Sequence, residues 1–308
     1  MPRSVLRSLC AGVMLSAVHA VSAQEQPTAV VDVPTLARFS PRARADIVAT
    51  ISEQWDRAIA AGIATPRRAH HFLAQIATET GGFRLLEENL NYSAERLVQV
   101  FPRRVTWEDA QRLAHKPVAI ANHVYNGRLG NSPPTDGWTF RGSGLLQLTG
   151  RANFAGRGKE LGVPLEEKPE LARLPATAFS TAVAYWRARN INVAADKDDL
   201  VTVRRLINGG TNGLPESRVW LARARRYFVD ASEKAQQPPG PTPDEASAAQ
   251  DLLQTLGFLS RTSDKAVDPS ELQNAVKSFQ ASRGLPETGR VDDDTLYELT
   301  DPEKFRPE

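Results

Sequence analysis

The chain has 308 residues, of which 41% are hydrophobic and 24% are charged, and its formal net charge at pH 7 is +2. These values match ordinary soluble domains, so they exclude an intrinsically disordered chain, a collagen-like chain and a coiled coil. The length allows two domains of ordinary size. A mean hydropathy of −0.38, with one long apolar run, excludes a polytopic membrane protein.

The long apolar run lies at the N-terminus and has the features of an export signal. Arg3 and Arg7 come first, the apolar stretch runs over residues 9–18, and small residues at 21–23 form a cleavage site. The apolar stretch is shorter than the roughly 20 residues that cross a bilayer, which disfavours an uncleaved anchor helix. We therefore predict a signal peptide over residues 1–23, no stable membrane anchor after its cleavage, and a periplasmic or secreted protein.

Cleavage at this position removes Cys10 and both methionines, so the mature chain contains no sulfur. Disulfides and thiolate metal sites are thereby excluded. The remaining histidines follow no known ligand spacing: His70, His71, His115 and His123. The sequence predicts neither a metal ion nor another cofactor.

A proline-rich segment divides the chain. Residues 231–245 contain four prolines and a glycine without apolar periodicity, which is typical of a semi-rigid linker. We predict a large domain over residues 24–230 and a small domain over residues 246–308. Charge is divided unevenly, because residues 24–243 carry 29 basic and 22 acidic side chains and residues 244–308 carry 7 and 14. The large domain is therefore basic and the small domain acidic.

Helical spacing dominates the large domain. Apolar residues predict one helix within about residues 41–63, and a second helix begins with Thr65 as N-cap and Pro66 at the first helical position. Further helices are predicted around residues 94–101, 107–115, 151–161, 176–190, 199–207 and 216–229. The alternation typical of strands is missing over any useful length, so we expect a mostly α domain with at most a small β hairpin.

The small domain contains three short amphipathic segments separated by glycines. Leucines or other large apolar residues mark each of them: Leu252, Leu253 and Leu256, then Leu272, Val276 and Phe279, then Leu296 and Leu299. This pattern predicts a three-helix module of about 60 residues, in which these side chains form the core.

The second helix of the large domain places a carboxylate on its apolar face. Phe72, Ile76 and Glu79 stand at i, i+4 and i+7, so Glu79 is expected to point inward. It also lies in the last turn before Gly81 and Gly82, where the helix dipole disfavours negative charge. Burial and the dipole both favour a protonated carboxyl, as a general acid requires. A solvent-exposed glutamate at a helix end is the alternative interpretation.

Two further acids, Glu87 and Glu88, follow shortly after Glu79. Neighbouring side chains of an extended segment point in opposite directions, so we expect one of the two to face Glu79 across a cleft and the other to make structural contacts or meet water. A protonated and an ionised carboxyl on either side of a bond are the groups that glycoside hydrolysis uses. An ordinary pair of surface acids is the alternative.

Three blocks in the large domain carry a family pattern: FLAQIATETGGFRLLEENLNYSAERL, DGWTFRGSGLLQLTGRANF and LINGGTNGLPESR. In this order, over roughly residues 40–228, they resemble glycoside hydrolase family 19, the chitinases and phage-type endolysins with a lysozyme-like helical fold. The resemblance implies that Glu79 is the general acid and Glu88 the general base of an inverting mechanism. In such a mechanism the two carboxyl groups stand about 6.5–9.5 Å apart, with room for a water molecule.

The resemblance also implies a set of cleft residues. Gln147, Thr149 and Asn153 match positions that place the water and hold N-acetyl groups, Tyr92 matches a cleft aromatic residue, and Asn208 matches a sugar-binding asparagine. Each has a structural alternative when taken singly. Gln147 and Asn153 are also typical of helix boundaries, Tyr92 of a core, and Asn208 of a helix end before glycine.

One position departs from the family pattern. Thr78 stands where the family commonly has a histidine directly before the catalytic glutamate, and that histidine is credited with supporting the acid. If Thr78 is a sign of decay, the chain is a non-catalytic protein that binds cell walls.

The small domain resembles the helical peptidoglycan-binding module in the segments LLQTLGFL, ELQNAVKSFQASRGLPETGRV and DDTLYELT. The two resemblances leave chitin and peptidoglycan as glycan partners. A basic catalytic domain is attracted to an anionic wall polymer and gains nothing on neutral chitin, so peptidoglycan is favoured. The acidic charge of the small domain has no explanation at this level.

The sequence thus favours an exported, monomeric glycoside hydrolase that cleaves β-1,4 bonds between N-acetylated amino sugars of peptidoglycan. Three alternatives remain: a secreted chitinase, a non-catalytic wall-binding protein, and a lytic transglycosylase, which works with a single glutamate. Nucleic acid is not an expected partner, since the sequence lacks a basic run with interleaved aromatic residues.

Overall fold

The computed structural model describes residues 31–229, 240–260 and 267–301. The predicted signal peptide and residues 231–239 of the predicted linker lie outside these ranges. The helices of the large domain are α1 (Val33–Phe39), α2 (Ala45–Glu53), α3 (Trp55–Ala60), α4 (Pro66–Thr80), α5 (Ala94–Val100), α6 (Trp107–Leu113), α7 (Pro117–Tyr125), α8 (Asp136–Thr139), α9 (Arg151–Leu161), a 3-10 helix (Pro169–Arg173), α10 (Pro175–Ala188), α11 (Asn192–Asp196), α12 (Leu200–Asn208) and α13 (Leu214–Tyr227). The small domain contains α14 (Pro243–Thr255), α15 (Pro269–Arg283) and α16 (Asp293–Leu299).

The predicted architecture, mostly α with a small three-helix module, is confirmed. The predicted start of α4 is confirmed as well, because the Thr65 hydroxyl accepts a hydrogen bond from the Arg68 N–H at 3.3 Å and proline occupies the first turn. Within the described residues, extended pairing is limited to the isolated bridges between Glu87 and Ser143 and between Ser143 and Leu148.

The structure differs from the predictions in three ways. The single helix predicted over residues 41–63 is two helices, because Gln54 has φ −105° and ψ 11° and interrupts the helical backbone between α2 and α3. The linker predicted over residues 231–245 ends earlier, since Thr242 caps α14 and its backbone N–H donates to the carboxylate of Glu245 at 2.7 Å. Helices α1, α7, α8 and α11 were not predicted.

Helix α4 runs through the main core of the large domain. The ring of Phe72 lies 5.4 Å from Trp186, 6.1 Å from Phe179 and 6.2 Å from Trp55, centroid to centroid. Phe72 and Ile76 are fully buried. The apolar stripe that they begin leads to Glu79, which therefore emerges from the core at the end of the helix.

Two smaller clusters face this core. Helices α5 to α7 bury Leu97, Leu113 and Ile120 in a second cluster, and Phe140 and Phe154 pack at 5.2 Å in a third cluster beside α9. The space between these clusters and the main core forms a groove, which contains the predicted site. None of the described helices is long and apolar enough to cross a membrane.

The small domain has its own core, in which Leu252, Phe279 and Leu296 are fully buried. It also shares side chains with the large domain. Val219 of α13 belongs to the core of the small domain, and Tyr297 of α16 belongs to the main core of the large domain. The two domains therefore pack against each other through apolar contacts.

Candidate active site

A groove of about 1360 Å³ opens between the main core and the second and third clusters. One side is formed by the C-terminal ends of α4 and α12, the other by residues 87–96, and the floor by residues 142–149. The structure places every predicted site residue on this groove: Glu79, Glu88, Tyr92, Gln147, Thr149, Asn153 and Asn208.

Glu79 reaches the groove because α4 ends sharply beside it. Gly81 has φ 58°, a left-handed conformation that favours glycine, and its N–H donates to the carbonyl of Ala77. Gly82 also has a positive φ, of 76°, and a Cβ there would lie 2.7 Å from the Ser40 hydroxyl oxygen and 3.0 Å from the Trp220 ring. Only glycine fits this reversal of the chain.

The carboxylate of Glu79 has a partner that the sequence interpretation lacked. A guanidinium nitrogen of Arg204 donates to Oε1 of Glu79 at 2.5 Å. The Glu79 side chain is 15% exposed and the Arg204 side chain is 5% exposed. Arg204 also donates to the carbonyl of Asn212 at 2.6 Å and to Oε1 of Gln75 at 3.2 Å. The sequence interpretation considered only burial and the helix dipole, and the structure adds a buried guanidinium as the counter-charge of this carboxyl.

Glu88 occupies a different environment. Burial raises the pKa of its carboxyl, hydrogen bonds from the Tyr125 hydroxyl at 2.7 Å and the Gly142 N–H at 3.2 Å oppose that rise, and the negative charge of Glu79 adds to it. The backbone N–H of Glu88 in turn donates to the carbonyl of Gly142 at 2.8 Å. Two donors thus fix both carboxylate oxygens of Glu88 at the groove.

Glu87 makes the structural contacts expected for one of the two neighbouring acids. Its carboxylate accepts hydrogen bonds from Arg141 and lies 3.5 Å from Nε of Arg173. Arg141 is held in turn because its guanidinium lies 3.7 Å from the ring centroid of Trp138. The pair fastens residues 87–88 to the floor of the groove.

The floor depends on a close approach at Gly142. A Cβ at this position would lie 2.6 Å from Oε1 of Gln147 and 3.1 Å from Cβ of Glu88, so a larger residue would displace one of them. Gln147 has φ 50°, and its amide donates to the carbonyl of Gly144 at 3.1 Å. The Thr149 hydroxyl donates to the carbonyl of Gln147 at 2.8 Å.

Other predicted residues combine structural and surface positions. Asn153 is exposed on the first turn of α9, where its amide donates to the carbonyl of Thr149 at 2.7 Å. Tyr92 is half-buried, and its ring packs edge-on against Phe101 at 6.0 Å. Asn208 is exposed as the last residue of α12, directly before the left-handed Gly209.

Thr78, the departure from the family pattern, lines the groove, but its hydroxyl bonds to the two helices beside it. Its hydroxyl donates to the carbonyl of Ala74 at 2.8 Å and lies 3.1 Å from the hydroxyl of Ser217 on α13. The threonine therefore links α4 to α13, and the polar support of Glu79 comes from Arg204.

Sequence reasoning missed three polar residues around the carboxylates. Arg204 follows Leu200 by four positions and Val203 by one, so it stands on the buried face of α12. The argument that identified Glu79, a charged residue on an apolar stripe, was available for Arg204 too. Tyr125 and Glu216 gave no such signal, and burial raises the pKa of the Glu216 carboxyl near Arg204.

Comparison with known proteins identifies the family of the chain. The chain is 37% identical over 203 residues to a glycosyl hydrolase family 19 domain-containing protein of Haemophilus influenzae, and the match covers 64% of this chain and 96% of that protein. An endochitinase of Arabidopsis thaliana is 31% identical over 113 residues, or 35% of this chain and 38% of the plant protein. Residues 242–299 match the family described as "Putative peptidoglycan binding domain".

Among solved structures, chitinase C from Streptomyces griseus matches with a TM-score of 0.42 and 21% identity, covering 69% of this chain and 79% of that chain. The helical domain with its groove and two glutamates is that of a glycoside hydrolase. The chain belongs to glycosyl hydrolase family 19 and carries a C-terminal peptidoglycan-binding domain.

We expect Arg204→Met to lower the free energy of unfolding by about 3 kcal/mol at pH 7, because it leaves the largely buried Glu79 carboxylate without its counter-charge. Adding Glu79→Gln should restore most of this loss, since the remaining amide is neutral. Urea unfolding of the two single variants and the double variant measures the coupling. Additive losses in the double variant would contradict the assignment of Arg204 as the partner of Glu79.

We expect the stability of Glu88→Gln relative to the wild type to depend on pH. Burial raises the pKa of the Glu88 carboxyl in the folded state above its pKa in the unfolded state. Between these two pKa values the folded state binds more protons than the unfolded state. The stability of the wild type therefore falls as pH rises through this range. Glutamine does not titrate, so the stability of the variant relative to the wild type should rise from about pH 4 to pH 7, as urea unfolding at each pH would show. A constant difference at all pH values would show that titration is not its cause.

Proposed function

We propose that this protein is an exported peptidoglycan hydrolase that cleaves β-1,4 bonds between N-acetylated amino sugars with inversion. The observation that carries the proposal is the presence of Glu79 and Glu88 on one groove in unlike environments. Two carboxyl groups whose environments separate their protonation states are the requirement for an acid and a base on the same bond.

In the proposed reaction Glu79 protonates the departing sugar oxygen and Glu88 activates the attacking water. The Tyr125 hydroxyl and the Gly142 N–H orient the Glu88 carboxylate, and burial makes that carboxylate a stronger base. Arg204 keeps the Asn212 carbonyl and the Gln75 amide oxygen as acceptors when Glu79 is protonated. In the free groove burial raises the pKa of Glu88, so substrate binding must favour the ionised form of Glu88 before the water is activated.

The substrate proposal rests on charge in the groove and on the small domain. Arg96 and Arg189 are exposed on the groove, and in the described part of the chain neither forms an ion pair with a carboxylate. Such guanidinium groups suit the peptide carboxylates of peptidoglycan and have no partner on uncharged chitin. The peptidoglycan-binding domain at residues 242–299 supports the same polymer. Relatives named endochitinases make chitin hydrolysis the second candidate.

The location proposal rests on the N-terminal segment alone. Its two arginines, short apolar stretch and small-residue cleavage site support export to the periplasm or the medium, where the cell wall is accessible.

The substrate is tested by incubating the purified protein with peptidoglycan sacculi and, separately, with chitin oligomers. We expect new reducing ends from sacculi at a rate at least tenfold above that from chitin. Salt should slow the reaction on sacculi more than the reaction on chitin, because it screens Arg96 and Arg189. Intact sacculi in a sample that cuts chitin would establish the chitinase instead.

The roles of the two glutamates are separable with chemical rescue. We expect Glu79→Gln to lose at least a hundredfold in kcat on natural glycan and much less on an aryl glycoside, whose good leaving group does not need a proton. Glu88→Gln should be inactive until azide replaces the activated water. Azide rescue of Glu79→Gln in place of Glu88→Gln would reverse the roles.

The products of the Glu88→Gln variant also separate the remaining alternatives. A lytic transglycosylase would keep its activity in this variant and release anhydro-sugars. A non-catalytic wall-binding protein would show no turnover as wild type and unchanged binding to sacculi in both variants.

A further inference from the structure

The peptidoglycan-binding domain is attached to the large domain through a network of arginines and carboxylates. At one end of the interface the Asp293 carboxylate lies 2.5 Å from Arg223 and 2.7 Å from Arg226, and accepts a hydrogen bond from the Tyr227 hydroxyl at 2.8 Å. Arg226 also lies 2.7 Å from the fully buried Glu245. The arginines belong to the large domain and the carboxylates to the small one.

The same division holds at the other end of the interface. Arg42 lies 2.7 Å from Glu298, and Arg84 lies 2.5 Å from Asp301, whose side chain is 2% exposed. The acidic charge of the small domain, unexplained by an attraction to an anionic polymer, thus has a structural use. Its carboxylates neutralise arginines that the large domain presents at the interface.

One of these contacts leads directly to the end of the catalytic helix. Nε of Arg84 donates to the carbonyl of Gly81 at 2.7 Å, while its terminal nitrogen binds Asp301. Gly81 is the residue at which α4 ends, and it lines the groove two positions after Glu79. Asp301 therefore orients the arginine that holds the peptide next to the catalytic carboxyl.

A second set of contacts, made by Trp220 and residues 40–42, connects the small domain to the same turn. Trp220 limits the space at Gly82, and its ring packs edge-on against Tyr297 of the small domain at 5.9 Å. The Ser40 hydroxyl donates to the carbonyl of Gly82 at 2.7 Å, and the Arg42 N–H donates to the Tyr297 hydroxyl at 3.0 Å. The small domain thus contacts both sides of the segment that fixes the turn after Glu79.

We infer that the peptidoglycan-binding domain is a positioning element for Glu79 as well as a wall anchor, and that Asp301 acts through Arg84 and Gly81. The inference rests on the proposed catalytic role of Glu79. A shift of about 1 Å in a catalytic group lowers the rate by as much as a hundredfold, so a loosened turn reduces turnover even of a substrate too small to reach the small domain.

The test compares Asp301→Asn with Asp251→Asn in the full chain. Asp251 is a matched control, because it pairs with Arg218 across the same interface at 3.2 Å, and among the described residues no hydrogen bond or ion pair joins it to the 81–84 turn. On a soluble glycan oligomer we expect Asp301→Asn to lower kcat about tenfold with KM changed less than twofold, and Asp251→Asn to keep both values. Equal kcat values for the two variants would overturn the inference.

A double variant tests whether Asp301 acts through Arg84, and a measurement without substrate tests whether the turn becomes less stable. Arg84→Gln, which leaves the small domain intact, should also lower kcat, and the double variant should be no worse than Asp301→Asn, because Asp301 acts on the turn through Arg84. Asp301 also lies 3.4 Å from Arg42, so Asp301→Asn is expected to be the more severe single variant. Hydrogen exchange of residues 77–85 should accelerate in Asp301→Asn and stay unchanged in Asp251→Asn. Unchanged exchange in both variants would also overturn the inference.

If the wild type cuts neither sacculi nor chitin, the proposed function fails, whereas the exchange measurement still decides whether the small domain holds the turn. A wild type that is active, with additive losses for Arg84→Gln and Asp301→Asn, leaves the function standing and rejects the coupling.

Discussion

The ion pair between Glu79 and Arg204 is the contact on which the groove depends. Glu79 ends the helix that crosses the main core, and Arg204 lies on the helix that ends at Asn208. The same guanidinium binds the carbonyl of Asn212, so one side chain joins the end of α4 to the loop after α12. A carboxylate left at this depth without a counter-charge would be costly, and the pair therefore fixes both groove-lining helix ends relative to each other.

This arrangement separates the two carboxyl groups by kind of environment. Glu79 is held by a full positive charge, while Glu88 is held by a hydroxyl and a backbone N–H, which are neutral donors. Neutral donors orient a carboxylate without cancelling its charge, which suits the base role proposed for Glu88. In the proposed reaction Glu79 becomes ionised when its proton passes to the departing sugar oxygen, and the buried arginine stabilises that charge. The asymmetry thus follows from the partners rather than from burial alone.

Sequence patterns were sufficient to predict those parts of the structure that local signals determine. The N-cap at Thr65, the stripe from Phe72 to Glu79 and the three helices of the small domain depend on neighbours within one or two turns. Sequence patterns were insufficient where contacts between distant segments determine the structure. The break at Gln54 depends on packing of α2 and α3 into the core, and the pairing of Glu79 with Arg204 joins residues 125 positions apart. The apolar face of each helix contains one charged residue, and only the fold shows that these two charges meet.

The interface between the domains also reduces the long-range attraction that the large domain alone would exert on an anionic polymer. Taken apart, the large domain looks basic enough to be drawn to an anionic polymer. Five of its arginines are paired with carboxylates of the small domain within the described residues: Arg42, Arg84, Arg218, Arg223 and Arg226. Without the two arginines of the predicted signal peptide the chain has 36 basic and 36 acidic side chains, so the field at a distance is weak. Attraction of a carboxylated glycan must then come from charges on the groove itself, such as Arg96 and Arg189, which act over contact distance rather than by long-range steering.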